Sequence, residues 1–209
     1  MKERNEHAAS NESTVQTAVK QKLNPTVSYY FRIIGTLFLI TAVVAVLLSL
    51  VNMVTKPVID RLAEEKRIAA LSEVMPDAEF ETLSQLPEGI DGLVSVTHAV
   101  RDGEHAGYCV EITVNGFGGS MNLMVGVDKS GAVTAVNILS HSETANTNRH
   151  DWLVEQYSGR SGEILTASNQ SDDTHVQVIS GATVTSKAVT NGVNNALRAA
   201  EACTKGGLF

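Results

Sequence analysis

The chain has 209 residues, with 16 Lys and Arg against 23 Asp and Glu, for a formal net charge of −7. That length fits one domain with additions better than two full domains, and an acidic chain without a Lys/Arg cluster argues against a nucleic-acid partner. The two cysteines, Cys109 and Cys203, form no CxxC pair, and His141, His150 and His175 lack HExxH spacing. No zinc or iron–sulfur site is therefore expected, and both thiols are read as buried and free.

Residues 1–24 are polar and mixed in charge with no apolar period, the pattern of a disordered tail. From Ile33 to Val54 the sequence IIGTLFLITAVVAVLLSLVNMV carries no charge. At the helical rise it extends roughly 33 Å, enough for a hydrocarbon core of about 30 Å. Arg32 and Lys56 flank it, with Tyr29 and Tyr30 just outside as interfacial aromatics. A cleaved signal peptide would have a shorter apolar core and a small-residue cleavage site. Residues 33–55 are thus expected to be a transmembrane helix behind a tail over 1–32. Lys20, Lys22 and Arg32 precede the span and Lys56, Arg61, Lys66 and Arg67 follow it, so charge alone leaves the orientation open.

Residues 56–75 read as a stalk helix opened by Pro57 at its first turn, with Val58, Leu62, Ile68, Leu71 and Met75 along one side and Arg61, Glu64, Glu65 and Arg67 elsewhere. After Pro76 the period changes to two. Strands are predicted over 93–100, 107–114, 121–128 and 132–139, separated by Asp102-Gly103, NGFGG at 115–119 and Lys129-Ser130-Gly131. Alternation in the second strand, Tyr108, Val110, Ile112 and Val114 against Cys109, Glu111 and Thr113, predicts one buried face. A short helix over 148–157, a Gly/Ser-rich loop, a last strand over 175–179 and a helix from about Ser186 to Cys203 follow. The fold class is α+β: an antiparallel sheet with covering helices behind a single N-terminal membrane helix.

Ser180-Gly181-Ala182-Thr183-Val184-Thr185-Ser186 forms the junction between the last strand and the last helix. Two readings stay open on these residues alone. Thr185 or Ser186 can be an ordinary N-cap. Alternatively, Gly181 admits close backbone approach, and the hydroxyls with the helix N-terminus seat a phosphate. GFGG at 116–119 falls short of a dinucleotide fingerprint, and no Walker A motif occurs.

SGATVTS before a C-terminal amphipathic helix resembles the flavinylation motif of FMN-binding domains. Further words point to the G subunit of the Rnf electron-transport complex: VNMVTKPVI, LSEVMPDAEFE, NGFGGSMNLMVGVDKSG and SHSET, in that order over roughly residues 30 to 200. The C subunit of sodium-translocating NADH:quinone reductase is the nearest alternative, and a tether without flavin is another. The resemblance implies covalent FMN on Thr183 through a phosphoester made by a separate flavin transferase. It further implies that Ser180, Gly181, Ala182, Val184 and Thr185 line the phosphate, and that Glu143 and Thr144 lie near the isoalloxazine. An electron relay in a ferredoxin:NAD oxidoreductase coupled to sodium or proton transport is the implied role. Implied partners are the complex's other membrane and iron–sulfur or flavin subunits and membrane lipid. On this reading residues 1–32 are cytoplasmic and 76–209 form an extracytoplasmic FMN-binding domain at the inner membrane. Two departures from the motif stand out: Gln177 where an acidic residue is usual, and Ala145-Asn146-Thr147-Asn148 in place of Pro-Gly-Leu-Gly.

Overall fold

The computed structural model describes residues 25–142, 150–169 and 172–207, and the chain divides into two compact units at Ile59/Asp60. The expected tail over 1–24, together with Glu143 and Thr144, lies outside the described residues.

The first unit is helical from Pro25 onward, as part of α1 (Pro25–Val74). Its apolar stretch is long enough to cross a membrane, and among the described residues it stays exposed, Leu39, Leu47 and Val51 included. Thr36 and Thr41 are compatible with an apolar surrounding because their hydroxyls bond back to the helix: Thr36 Oγ1 to the Ile33 carbonyl at 2.9 Å, and Thr41 Oγ1 to Leu37 and Phe38 at 3.1 and 2.9 Å. Pro57 does not start a new helix, as its sequence position suggests, but lies inside α1. An interior proline costs about 3 kcal/mol. Ending one helix and starting another would instead orphan four N–H and four C=O groups.

The second unit is built on a five-stranded antiparallel meander in chain order: β1 (Glu79–Thr82), β2 (Leu93–Arg101), β3 (Glu104–Asn115), β4 (Ser120–Asp128) and β5 (Val133–His141). Around it come α2 (His150–Glu155), the parallel pair β6 (Leu165–Ala167) and β7 (His175–Gln177), and α3 (Thr183–Gly206). On one face Val96, Tyr108, Val110, Ile112, Leu123 and Val125 pack under the stripe of α3 formed by Val189, Val193, Ala196, Leu197 and Ala200. Gly192 lets that helix close on the sheet, since a Cβ there would lie 2.8 Å from Leu123 and Val114.

The expectation of one buried face fails at the centre of β3. Cys109 is buried on the other side, with Ala99 and Met124, beneath Ala70, Leu71, Val74 and Met75 from the end of α1. Of the expected stalk stripe, Leu71 and Met75 pack inward, whereas Val58, Leu62 and Ile68 stay exposed. Arg67 instead turns to the sheet. Its Nε donates to Glu111 Oε2 at 3.2 Å and its Nη2 to Thr97 Oγ1 at 3.2 Å, while Ser95 Oγ donates to the same Glu111 oxygen at 3.1 Å. A long cation whose partners lie 30 and 44 residues away cannot be placed from helical spacing alone. Both cysteines are free and buried, as expected. Burial pushes the Cys109 thiol up to about 12 against the opposing pull of Arg67, so it stays protonated.

Candidate functional site

The junction is built from a turn inward. Ile179 to Ala182 close a β-turn, with the Ala182 N–H on the Ile179 carbonyl at 3.0 Å and Gly181 at φ 81° in its third position. That is the type II geometry, which requires positive φ there, so the turn itself accounts for the glycine. Ser186 spans the turn from inside the protein. Its Oγ accepts the Ile179 N–H at 3.0 Å and donates to the Ala182 carbonyl at 3.0 Å. Thr190 Oγ1 then donates to the Ser186 carbonyl at 2.9 Å. With that proton committed, the Tyr157 phenol donates to Thr190 at 2.8 Å. Burial pushes the Tyr157 phenol up to about 12, outweighing the Thr190 contact, so the chain of hydroxyls stays neutral.

Upstream, β7 has a ladder partner among the described residues on one side, in β6. On its other side the Gln156 amide acts as a surrogate strand: its Oε1 accepts the Gln177 N–H at 2.9 Å and its Nε2 donates to the Gln177 carbonyl at 3.2 Å. The backbone entering the turn is thereby held on both flanks. Nothing in the sequence around Gln156 signals this role, because a lone glutamine near a helix end has no period or spacing to mark it.

Of the two readings left open, the capping one fails for both candidates. The N-cap is Ala182, with no side-chain hydrogen bond to the helix start. Thr185 and Ser186 are buried inside the first turn rather than before it. The N-cap residue of α3 itself thus offers no side-chain acceptor to the helix start. Thr183, the first residue of the helix, is exposed, as are Gly181 and Val184, the last at 54%. The junction therefore brings together an exposed hydroxyl and the positive end of a 24-residue helix. At the end of the sheet formed by the β3–β4 hairpin, Gly116 to Gly119 turn tightly and leave Phe117 77% exposed. Glu143 and Thr144 cannot be compared with the site, being outside the described residues.

A cavity of about 510 Å³ lies elsewhere. It lies along the C-terminal half of α3, between Asn194, Leu197 and Arg198 on the helix and Tyr108, Asp128 and Glu163. At 1.5 Å per residue that is more than about 15 Å from Thr183 along the helix.

Residues 116–198 match the family described as the FMN-binding domain. The chain is 28% identical over 197 residues to the G subunit of the Na(+)-translocating ferredoxin:NAD(+) oxidoreductase complex of Acetobacterium woodii, an alignment covering 86% of this chain and 95% of that one. To the G subunit of the proton-translocating ferredoxin:NAD(+) oxidoreductase complex of Clostridium ljungdahlii it is 36% identical over 104 residues, covering 47% and 56%. To the G subunit of the ion-translocating oxidoreductase complex of Stutzerimonas stutzeri it is 29% identical over 176 residues, covering 78% and 77%. The crystal structure of Shewanella oneidensis NqrC overlaps 54% of this chain and 62% of its own at a TM-score of 0.42 and 17% identity.

Proposed function

We propose, on the premise that this chain carries an FMN-binding domain and is a relative of the G subunits of ion-translocating oxidoreductases, that it is a one-flavin electron relay in such a complex. The flavin is held by a phosphoester to the Thr183 hydroxyl. One observation carries this reading: the exposed Thr183 side chain opens a helix whose N-cap, Ala182, makes no side-chain hydrogen bond and whose preceding turn is fixed by Ser186. A phosphodiester keeps one negative charge, which suits the positive helix end, and first-turn N–H groups can donate to its oxygens. Covalent FMN would supply the electron-transfer chemistry. Ser180, Gly181, Ala182, Val184 and Thr185 form its backbone cradle, and Glu143 with Thr144 belong to the segment proposed to face the ring. Exposure of Thr183 also suits modification by a separate flavin transferase, which must reach the hydroxyl.

In this reading the span of α1 fixes the chain in lipid of the inner membrane, and the second unit works on the extracytoplasmic side beside the complex's other subunits. The test is intact mass of the full chain, produced with its transferase, for the natural sequence and for Thr183→Ala. A mass increase of one flavin phosphate, absent from the variant, is the expected result. Bare polypeptide mass in both would leave an anchored tether without a redox role.

A further inference from the structure

The end of the sheet away from the β3–β4 hairpin holds two imidazoles in direct contact. His98 Nε2 and His105 Nδ1 are 2.7 Å apart, and the rings stack with centroids 4.9 Å apart. A break in the β2–β3 register between Ala99 and Val100 moves His105 toward His98. His98 is buried, and both rings lean on Tyr108, with centroids 5.7 and 4.9 Å from it. Tyr108 is buried in turn under the last turns of α3, beside Cys203 and hydrogen-bonded to Thr204.

The charged and titratable groups around the pair come from every neighbouring element. Glu81 on β1 stands across from His98, and Arg101 and Glu104 stand across from each other at the β2–β3 turn. Asp128 and Lys129 close the end of β4, and α3 brings Glu201, Cys203 and Lys205. The Asp128 carboxylate is already held by the Ser130 N–H and hydroxyl and the Ala132 N–H, at 2.6–2.9 Å. Glu201 and Lys205 pair with each other at 2.6 Å. Glu81 is thus the carboxylate nearest the pair on the β1 side, while the Asp128 and Glu201 carboxylates are already engaged by their own partners.

We propose that the His98–His105 pair is an acid-sensitive latch for the C-terminal end of α3. Neutral or singly protonated, the two rings share one hydrogen bond. Double protonation leaves two cations at contact distance, parts the rings and unseats Tyr108 from beneath Cys203 and Thr204. Burial, His98 and Lys129, in that order, hold the His105 pKa below its usual 6.5. The sign follows: the unfolded chain binds the proton first, so this stability is present above about pH 6.5 and is lost as pH falls through the folded value.

The test reads Cys203, which is fully buried on α3. The full chain in detergent, carrying Cys109→Ala so that one thiol remains, is treated with 4,4′-dithiodipyridine at about pH 7.5 and about pH 5. Rates are divided by those of the unfolded chain at the same pH, which removes the reagent's own pH dependence. The normalised rate should rise roughly tenfold at acid pH with both histidines present, and less than about twofold with His98→Gln or His105→Gln. An equal rise in either variant, or none with the pair intact, overturns the latch. Ring ¹³C signals of the unmutated pair give a second readout that needs no variant. Both rings must gain protons over the range in which labelling accelerates, and a rise with either ring still neutral also overturns it.

Discussion

The two ends of α3 are finished in opposite ways. At its C-terminus Gly207 takes the left-handed conformation, φ 63°, and its N–H returns to the carbonyls of Cys203 and Thr204. Lys205 in the same turn suits the negative end of the dipole. At its N-terminus Ala182 offers no side-chain acceptor, no acidic residue stands in the first turn, and the leading side chain is exposed. A helix needs both ends satisfied for stability. One end is closed by a left-handed glycine, whereas the other starts at an alanine and an exposed threonine, the arrangement the proposed phosphoester would use.

Substitutions at both ends test that contrast. The largest effect is expected from Thr183→Ala, with complete loss of covalent flavin by intact mass and a thermal midpoint within about 2 °C of the parent, because the side chain is exposed. Ser186→Ala should instead destabilise the domain by about 1–3 kcal/mol in denaturant unfolding, since it strands the buried Ile179 N–H. Gly181→Ala and Gly207→Ala form a matched pair at positive φ. Each should lower stability by about 1 kcal/mol, but only Gly181→Ala should reduce flavin loading, because only it distorts the turn before Thr183. The smallest effect is expected from Gln177→Asp, a modest gain in the flavinylated fraction by mass. Unchanged, complete loading would show that Gln177 suffices, since its backbone is already held by Gln156.

The four long strands were readable because Val, Ile and Met alternate over eight or nine residues, a signal no helix reproduces. Strand β1 was not, since Phe80 is the one apolar residue in Glu79–Thr82 and an edge strand of four residues needs little more. Strand β7 was readable, as part of the strand expected over 175–179, whereas the three-residue β6 falls below any periodic signal and lies in the stretch read as a loose loop. The last helix starts three residues earlier than its apolar stripe suggests, because Thr183 to Thr185 add helical turn without adding a continuous apolar face. At the site, the word SGATVTS pointed to the junction, but not to the division of labour within it. Gly181 serves the turn, Ser186 fastens it from inside, and Thr183 faces out; one-dimensional spacing carries none of that. The Arg67–Glu111 pair and the Gln156 clamp depend on contacts 44 and 21 residues apart, which no local pattern encodes.

The seating of Ala70, Leu71, Val74 and Met75 on Ala99, Cys109 and Met124 decides where this protein can be cut. A fragment beginning at Pro76, where the sequence changes character, would bare that side of the sheet to water, and it would leave Glu111 without its arginine. Beginning at Asp60 keeps the lid and discards only the first unit, so the compact piece worth preparing carries the end of the same helix that holds the candidate span.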